Sequence, residues 1–165
     1  MAPVDDGVVE IVVEIPKGSR NKYEMDHETG QIFLDRMLFT SVQYPADYGF
    51  IDGTLGADGD PLDALVLVSE PTFPGCRIRG RPVGMFRMTD EKGEDEKILC
   101  VPLRDPIWSL VTELDGIPVP LQAEIEHFFQ VYKDLEGHTV STDGFEGREA
   151  ALRVIDESRD RLADP

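Results

Sequence analysis

Apolar and polar residues follow one rhythm through most of this chain and another in its last third. VVEIVVEI at 8–15 is β-branched and apolar, interrupted only by Glu10 and Glu14, and Pro16 stops it, which predicts a strand. Residues 17–20 and 27–30 read as turns beside candidate strands at 22–25 and 31–36. LDALVLV at 62–68 is a short continuous apolar run, suited to a strand covered on both faces. Polar and apolar residues alternate over 77–88, with Arg77, Arg79 and Arg81 on one side. A turn-rich acidic loop is expected at 90–96, with a further strand at 97–103.

The C-terminal third changes period. Asp105 followed by Pro106 predicts a helix over 105–115, with a capping carboxylate and proline at the first helical position. That helix would place Trp108 in the core or an interface. Leu121, Ile125, Phe128, Phe129 and Tyr132 recur at spacings of three and four, which predicts an amphipathic helix. A last helix over 146–162 carries Ala150, Ala151, Val154, Ile155 and Leu162. Strands first and helices last indicate an α+β fold, a small curved or closed sheet with helices outside. No linker, repeat or low-complexity segment divides it, so one domain over 1–165 is expected.

Composition excludes several partners. The chain has 165 residues, 41% hydrophobic and 30% charged, which is globular rather than disordered. Its formal net charge of −17 argues against nucleic acid and against an anionic membrane surface. Cys76 and Cys100 are too few for a disulfide framework and read as buried reduced thiols. The N-terminus has no basic, apolar leader, and no window approaches the ~20 apolar residues of a membrane span, so a cytoplasmic protein is expected.

The chemistry gathers in Asp58-Gly59-Asp60-Pro61-Leu62-Asp63, three carboxylates on a tight turn before an apolar strand. Carboxylates so close repel one another unless a cation lies among them, and hard oxygen ligands suit Mg²⁺, Mn²⁺ or Ca²⁺. An EF-hand fails on spacing, because Asp63 falls where glycine should be and Ser69 where glutamate should be. A second acidic group, with Asp90, Glu91, Glu94, Asp95 and Glu96, reads alone as an exposed hairpin loop. Facing the first, it could hold further metal ions of the kind that clamp oxygens in phosphoryl transfer. Arg20, Lys22, Arg36, Lys97 and Lys133 stand beside Tyr23, Tyr44, Tyr48 and Tyr132, the donor types that grip phosphate. No Walker A, GxGxxG or GxSxG pattern is present, and His27, His127 and His138 form no ligand set, His127 reading as structural. What remains is metal-activated water attacking a phosphate. A nucleotide phosphohydrolase and a non-catalytic cation-binding module are the competing readings.

EIPKGSRNKYE at 14–24, LDR at 34–36, YPADYGFI at 44–51, DGDPLDALVL at 58–67, RPVGMFRMTDEKGEDEK at 81–97 and HFFQVYKDLE at 127–136 resemble the soluble family I inorganic pyrophosphatases, nearest to bacterial and actinobacterial members. The resemblance implies a closed five-stranded barrel of the oligonucleotide/oligosaccharide-binding (OB) type, with two main C-terminal helices outside, and a homohexamer. It implies pyrophosphate as substrate, several Mg²⁺ ions per site with Mn²⁺ possible, and Asp60 as general base. Asp58, Asp63 and Asp95 would hold the tightest metal, Asp90 and Asp95 those arriving with substrate, and Glu14 and Glu24 would support them. Lys22, Arg36, Tyr132 and Lys133 would grip phosphate, with Lys97 near the metal carboxylates and Tyr44 and Tyr48 ordering the pocket. After residue 137, GHTVSTDGFEGR lacks the lysines and tryptophan often seen there, which points to a changed surface or subunit contact.

Overall fold

The β-branched run near the N-terminus forms strand β1, Val9–Ile15, in the computed structural model, which describes residues 7–164. The expectation of no leader falls on the first six residues and lies outside them. Beyond β1 come β2 (Asn21–Asp26), β3 (Gln31–Met37), β4 (Asp47–Ile51) and β5 (Asp63–Val66). Then follow β6 (Arg77–Asp90), β7 (Gly93–Pro102), helix α1 (Val119–Val131), β8 (Ser141–Gly147) and helix α2 (Arg148–Ala163). The principal sheet runs β1-β4-β5-β7-β6-β8, and β1 also pairs with β6. That last pairing closes β1, β4, β5, β7 and β6 into a five-stranded ring, with β8 added at the edge of β6. The ring is the expected barrel. All its pairings are antiparallel except β5 with β7.

Closure depends on the length of β6. Its first residues pair with β1, its remainder with β7, and its later half also with β8. A register shift between Pro82 and Gly84 lets the strand bend from one partner to the next. Gly49 makes the β1–β4 pairing possible, because a Cβ there would stand 1.9 Å from the Val12 carbonyl oxygen.

The wall is apolar on both faces, as its continuous runs predict. On β7, Leu99 and Val101 join one buried cluster while Ile98 and Cys100 join the other. α1 covers the first cluster with Ile125, Phe128 and Phe129, and α2 covers the second with Ala151, Val154 and Ile155. Each fully buried side chain of this size stabilises the fold by about 1.5–3 kcal/mol.

Three expectations fail. No helix spans 105–115; that stretch holds only the 3₁₀ turns Trp108–Leu110 and Leu114–Gly116, with Trp108 packed at the margin of the first cluster. Asp105 does act as a cap, accepting from the Ile107 and Trp108 amides at 2.9 and 3.1 Å. Arg81 then donates to the carbonyls of Ser109 and Val111 at 2.7 and 3.0 Å, taking acceptors that a continuing helix would use. The acidic segment 90–96 is mostly strand, turning only at Glu91 and Lys92. Of the two thiols, Cys100 is buried but Cys76 is partly exposed; both are free.

Candidate active site

The aspartate turn leaves the barrel at the end of β4 and returns at the start of β5. Gly59 takes φ +91°, and its N–H donates to the Gly56 carbonyl at 3.1 Å. The Asp60 amide donates to Asp58 Oδ1 at 3.0 Å, and the Gly56 amide to the Asp60 carbonyl at 2.6 Å. A Cβ on Gly56 would lie 3.0 Å from Asp58 Oδ1 and from the Asp60 carbonyl oxygen, so a larger residue there would push the turn outward. Asp58 and Asp60 are exposed at its tip, while Asp63 is drawn into the wall as the first residue of β5.

The second acidic group arrives on rigid backbone. β6 and β7 form a hairpin in which Asp90 pairs with Gly93 and Asp95 with Met88. Because β5 and β7 run parallel, Asp63 and Lys97 are register partners. Lys97 is 2% exposed, and its Nζ donates to Tyr48 Oη at 2.7 Å, Asp95 Oδ2 at 2.8 Å and Asp63 Oδ2 at 3.2 Å. The ammonium also lies 4.9 Å from the Tyr48 ring and 5.0 Å from that of Phe129. Lys97 therefore faces the carboxylates more than the open cleft.

Glu14 enters at an irregularity of β1. Between Val13 and Ile15 the register against β4 shifts, leaving Glu14 as an extra residue whose side chain is re-aimed. It is buried and accepts from the Met25 amide at 2.9 Å. Burial lifts its carboxyl to about 7, against the lowering effect of that bond. Burial likewise raises Asp63 to about 6, with Lys97 opposing and Asp95 reinforcing the rise.

Cations close the far side. Tyr132 ends α1 and Lys133 follows it, both buried, with Lys133 Nζ 3.6 Å from Asp90 Oδ2 and 3.4 Å from Glu91 Oε1. Tyr44 packs at 4.5 Å from Phe128 and 5.4 Å from Tyr48, fully buried behind the cleft. Glu14, Lys22, Glu24, Tyr44, Tyr48, Asp58, Asp60, Asp63, Asp90, Asp95, Lys97, Tyr132 and Lys133 all line one cleft. Arg36 lines the adjoining cleft, which shares Lys22, Glu24 and Lys133 with the first. It grips Glu136 with Nε and Nη2 at 2.6 and 2.9 Å, and also meets Asp35. Asp35 is the extra residue at a register shift between β2 and β3 and binds Lys22 at 3.4 Å as well.

Among the described residues no three acid, His or Cys side chains form a ready-made metal cage. Lys97 instead bridges Asp63 and Asp95. The donor set nevertheless fits a hard divalent cation: oxygen ligands only, in excess of the local cations, with Glu14 buried and the Asp63 carboxyl also raised by desolvation. Asp58, Asp63 and Asp95, with Asp90 nearby, are the residues that could hold it.

Sequence reasoning gave no role to Lys92 or Glu136, which line these clefts, while Glu91, named with the second acidic group, lines the adjoining one. Glu136 lay within the YKDLE segment, and its proximity to Arg36 spans 100 positions, so no local signal marked it. His27, set aside as inert, also lines the cleft and packs edge-on to Phe50 at 4.9 Å. His127, read as structural, is exposed.

A closed barrel bearing clustered carboxylates rimmed by Lys, Arg and Tyr is suited to hydrolysis of polyphosphate anions. The chain matches the family model described as inorganic pyrophosphatase over residues 11–163. An inorganic pyrophosphatase of Streptomyces coelicolor is 57% identical over 156 residues, spanning 94% of this chain and 96% of that one. One of Methanosarcina acetivorans is 55% identical over 154 residues, spanning 93% and 92%. The solved inorganic pyrophosphatase of Thermus thermophilus superposes with a TM-score of 0.93 at 41% identity, over 98% of this chain and 95% of that one. The chain belongs to the inorganic pyrophosphatase family.

Proposed function

We propose that this protein hydrolyses inorganic pyrophosphate to two orthophosphates with the help of Mg²⁺. One observation carries the reading. The carboxylates Asp58, Asp60, Asp63, Asp90 and Asp95 share a single cleft with Lys22, Tyr132 and Lys133. A cation-binding module has use for the first group alone; a phosphate hydrolase needs both.

Asp58, Asp63 and Asp95, with Asp90, would hold Mg²⁺, or Mn²⁺ in its place, with Glu14 and Glu24 in support. When bound, such ions make water a stronger acid and offset the charge of the substrate. Asp60, exposed at the tip of its turn, takes the proton from the attacking water. The water oxygen bonds to one phosphorus as the bridging P–O bond breaks, and the second phosphate leaves with the electron pair. Lys22, Arg36, Tyr132 and Lys133 hold the phosphoryl oxygens and receive that developing charge. Glu136 and Asp35 keep the Arg36 fork oriented from behind. Lys97 keeps Asp63 and Asp95 in register, and Tyr48 and Tyr44 stiffen the floor. No side chain needs to bond covalently to phosphorus.

The reading includes one domain over the whole chain and a cytoplasmic setting, where both thiols remain reduced. Among the described residues no helix is long and apolar enough to cross a membrane. It also includes a homohexamer, for which Phe33, Leu34, Met37, Phe39 and Phe73, each more than half exposed, offer apolar surface to further copies. Phosphate release from pyrophosphate, measured with Mg²⁺, with excess chelator, and with ATP in place of pyrophosphate, tests the activity. Rapid release that needs Mg²⁺ and favours pyrophosphate is expected. No release from folded, Mg²⁺-loaded protein would return the site to a binding module.

A further inference from the structure

The loop that presents Asp58 and Asp60 is tied down by groups outside the cleft. Its ends are joined where the Ile51 amide donates to the Leu62 carbonyl at 2.8 Å. Inside that neck sits Thr54, 3% exposed. Its hydroxyl donates to the Ile51 carbonyl at 2.7 Å and accepts from the Leu62 amide at 3.0 Å, so one oxygen spans both ends of the loop. The next residue is held from the other direction by α2. The Leu55 amide donates to the Ser158 carbonyl at 3.0 Å, and the Leu55 carbonyl accepts from Arg161 Nη1 at 2.7 Å. The turn with Gly56, Asp58 and Asp60 follows at once. Neither Thr54 nor Arg161 lines the cleft where phosphate would lie. Arg161 lines a small cavity behind the loop, together with Asp58, Asp63 and Asp95.

We propose that Thr54, seconded by Arg161 of α2, is a positioning residue that sets the affinity of the aspartate loop for divalent cations. The proposal rests on the reading of Asp58 and Asp60 given above. Asp58 stands four residues beyond Thr54 and is exposed, and its carboxylate is held by the Asp60 amide of the same turn. A loop free to wander must be ordered when the ion binds, whereas a clipped loop is ordered on folding. The clip is a buried hydroxyl with both its donor and its acceptor roles satisfied, where competition from water is least.

Two substitutions separate the hydroxyl from the shape. Thr54→Val keeps the branched side chain and removes both bonds; Thr54→Ser keeps the bonds. The readouts are amide exchange over residues 55–62 in the metal-free protein and Mg²⁺ binding by calorimetry. Thr54→Val is expected to speed exchange in that loop and to weaken Mg²⁺ binding about tenfold, the scale of one or two lost hydrogen bonds. Thr54→Ser should restore both, and turnover of Thr54→Val at saturating Mg²⁺ should recover most of the wild-type value. An unchanged Mg²⁺ Kd in Thr54→Val, or a Thr54→Ser as weak as Thr54→Val, overturns the proposal. If Thr54→Val does not fold, Arg161→Met carries the test through amide exchange, because its guanidinium also stands near Asp58, Asp63 and Asp95 and its loss alters Mg²⁺ affinity through charge; exchange over residues 55–62 that stays unchanged there is equally fatal. Wild-type protein that binds Mg²⁺ without hydrolysing pyrophosphate would sink the functional reading, while these binding data still decide the clip.

Discussion

The cleft and the outer wall of the same barrel use the same charged residue types to opposite ends. On the wall, Arg87 lies between Glu96 and Glu146, and Arg77 between Glu10 and Asp52. These groups are a quarter to a half exposed, and such pairs contribute little because water already solvates both partners. In the cleft one buried ammonium serves two carboxylates, and further carboxylates stand around them. One cation stands between two carboxylates in both places, but the wall cations are wet and the cleft ammonium is dry. Carboxylates around a dry centre are the condition for drawing in a cation from outside.

The largest effect should come from the cleft residue with the least structural role. Among the described residues none donates to the exposed Asp60 carboxylate, so Asp60→Asn should keep the fold and bind Mg²⁺ while turnover drops about a thousandfold, the usual scale for loss of a general base. A metal-loaded Asp60→Asn enzyme of ordinary turnover would remove Asp60 from that role. Next, Lys97→Met leaves the half-buried Asp63 and Asp95 without their shared, fully buried counter-charge. Denaturant melts in chelator should show a loss of about 3 kcal/mol, with Mg²⁺ recovering much of it. A loss independent of Mg²⁺ would mean that Lys97 acts through packing alone.

A smaller effect follows from the raised carboxyls. Folding holds protons on Glu14 up to about pH 7 and on Asp63 up to about pH 6, above the unfolded values of 4.5 and 3.8. The folded state therefore binds more protons in that window, and metal-free stability should fall as pH rises from about 4 to 7. Carboxylates held low, such as Asp105 at about 2 through its bonds from Ser69 and the Trp108 and Ile107 amides, act below that window with the opposite sign. Glu14→Gln should flatten the decline between pH 4.5 and 7, read by urea denaturation at several pH values. An unaltered slope in that variant would break the contrast between dry cleft and wet wall. The smallest effect belongs to the wall: Arg87→Met should cost less than about 1 kcal/mol and leave turnover unchanged. A larger loss would show that the wall is not the passive half of the comparison.

Much of this was legible in the chain because its apolar runs are long and its chemistry is local. VVEIVVEI and LDALVLV became β1 and the start of the β5 wall, and DGDPLD carried three cleft carboxylates within six positions. What escaped was set by distant partners. β8, STDGFEG, is too polar and glycine-rich to show a strand pattern and exists because β6 offers it an edge. The 105–115 helix had a sound cap but lost its carbonyls to Arg81, a residue on another strand. Glu136 beside Arg36, and Thr54 beneath the aspartate turn, have no local signature at all. Their meaning lies in what the fold brings next to them.

The parallel pairing of β5 with β7 carries a consequence for how the protein is made. Asp63 and Lys97 become neighbours only when strands separated by all of β6 come together, and the grip of Arg36 on Glu136 waits for a residue 100 positions later. Non-local pairings of this kind form late and slowly. On the proposed function, a chain emerging from the ribosome would thus carry every aspartate of DGDPLD well before it could hold an ion tightly. Uptake of Mg²⁺ during refolding would then serve as a clock for closure of the ring, ticking only once the last strand is in place.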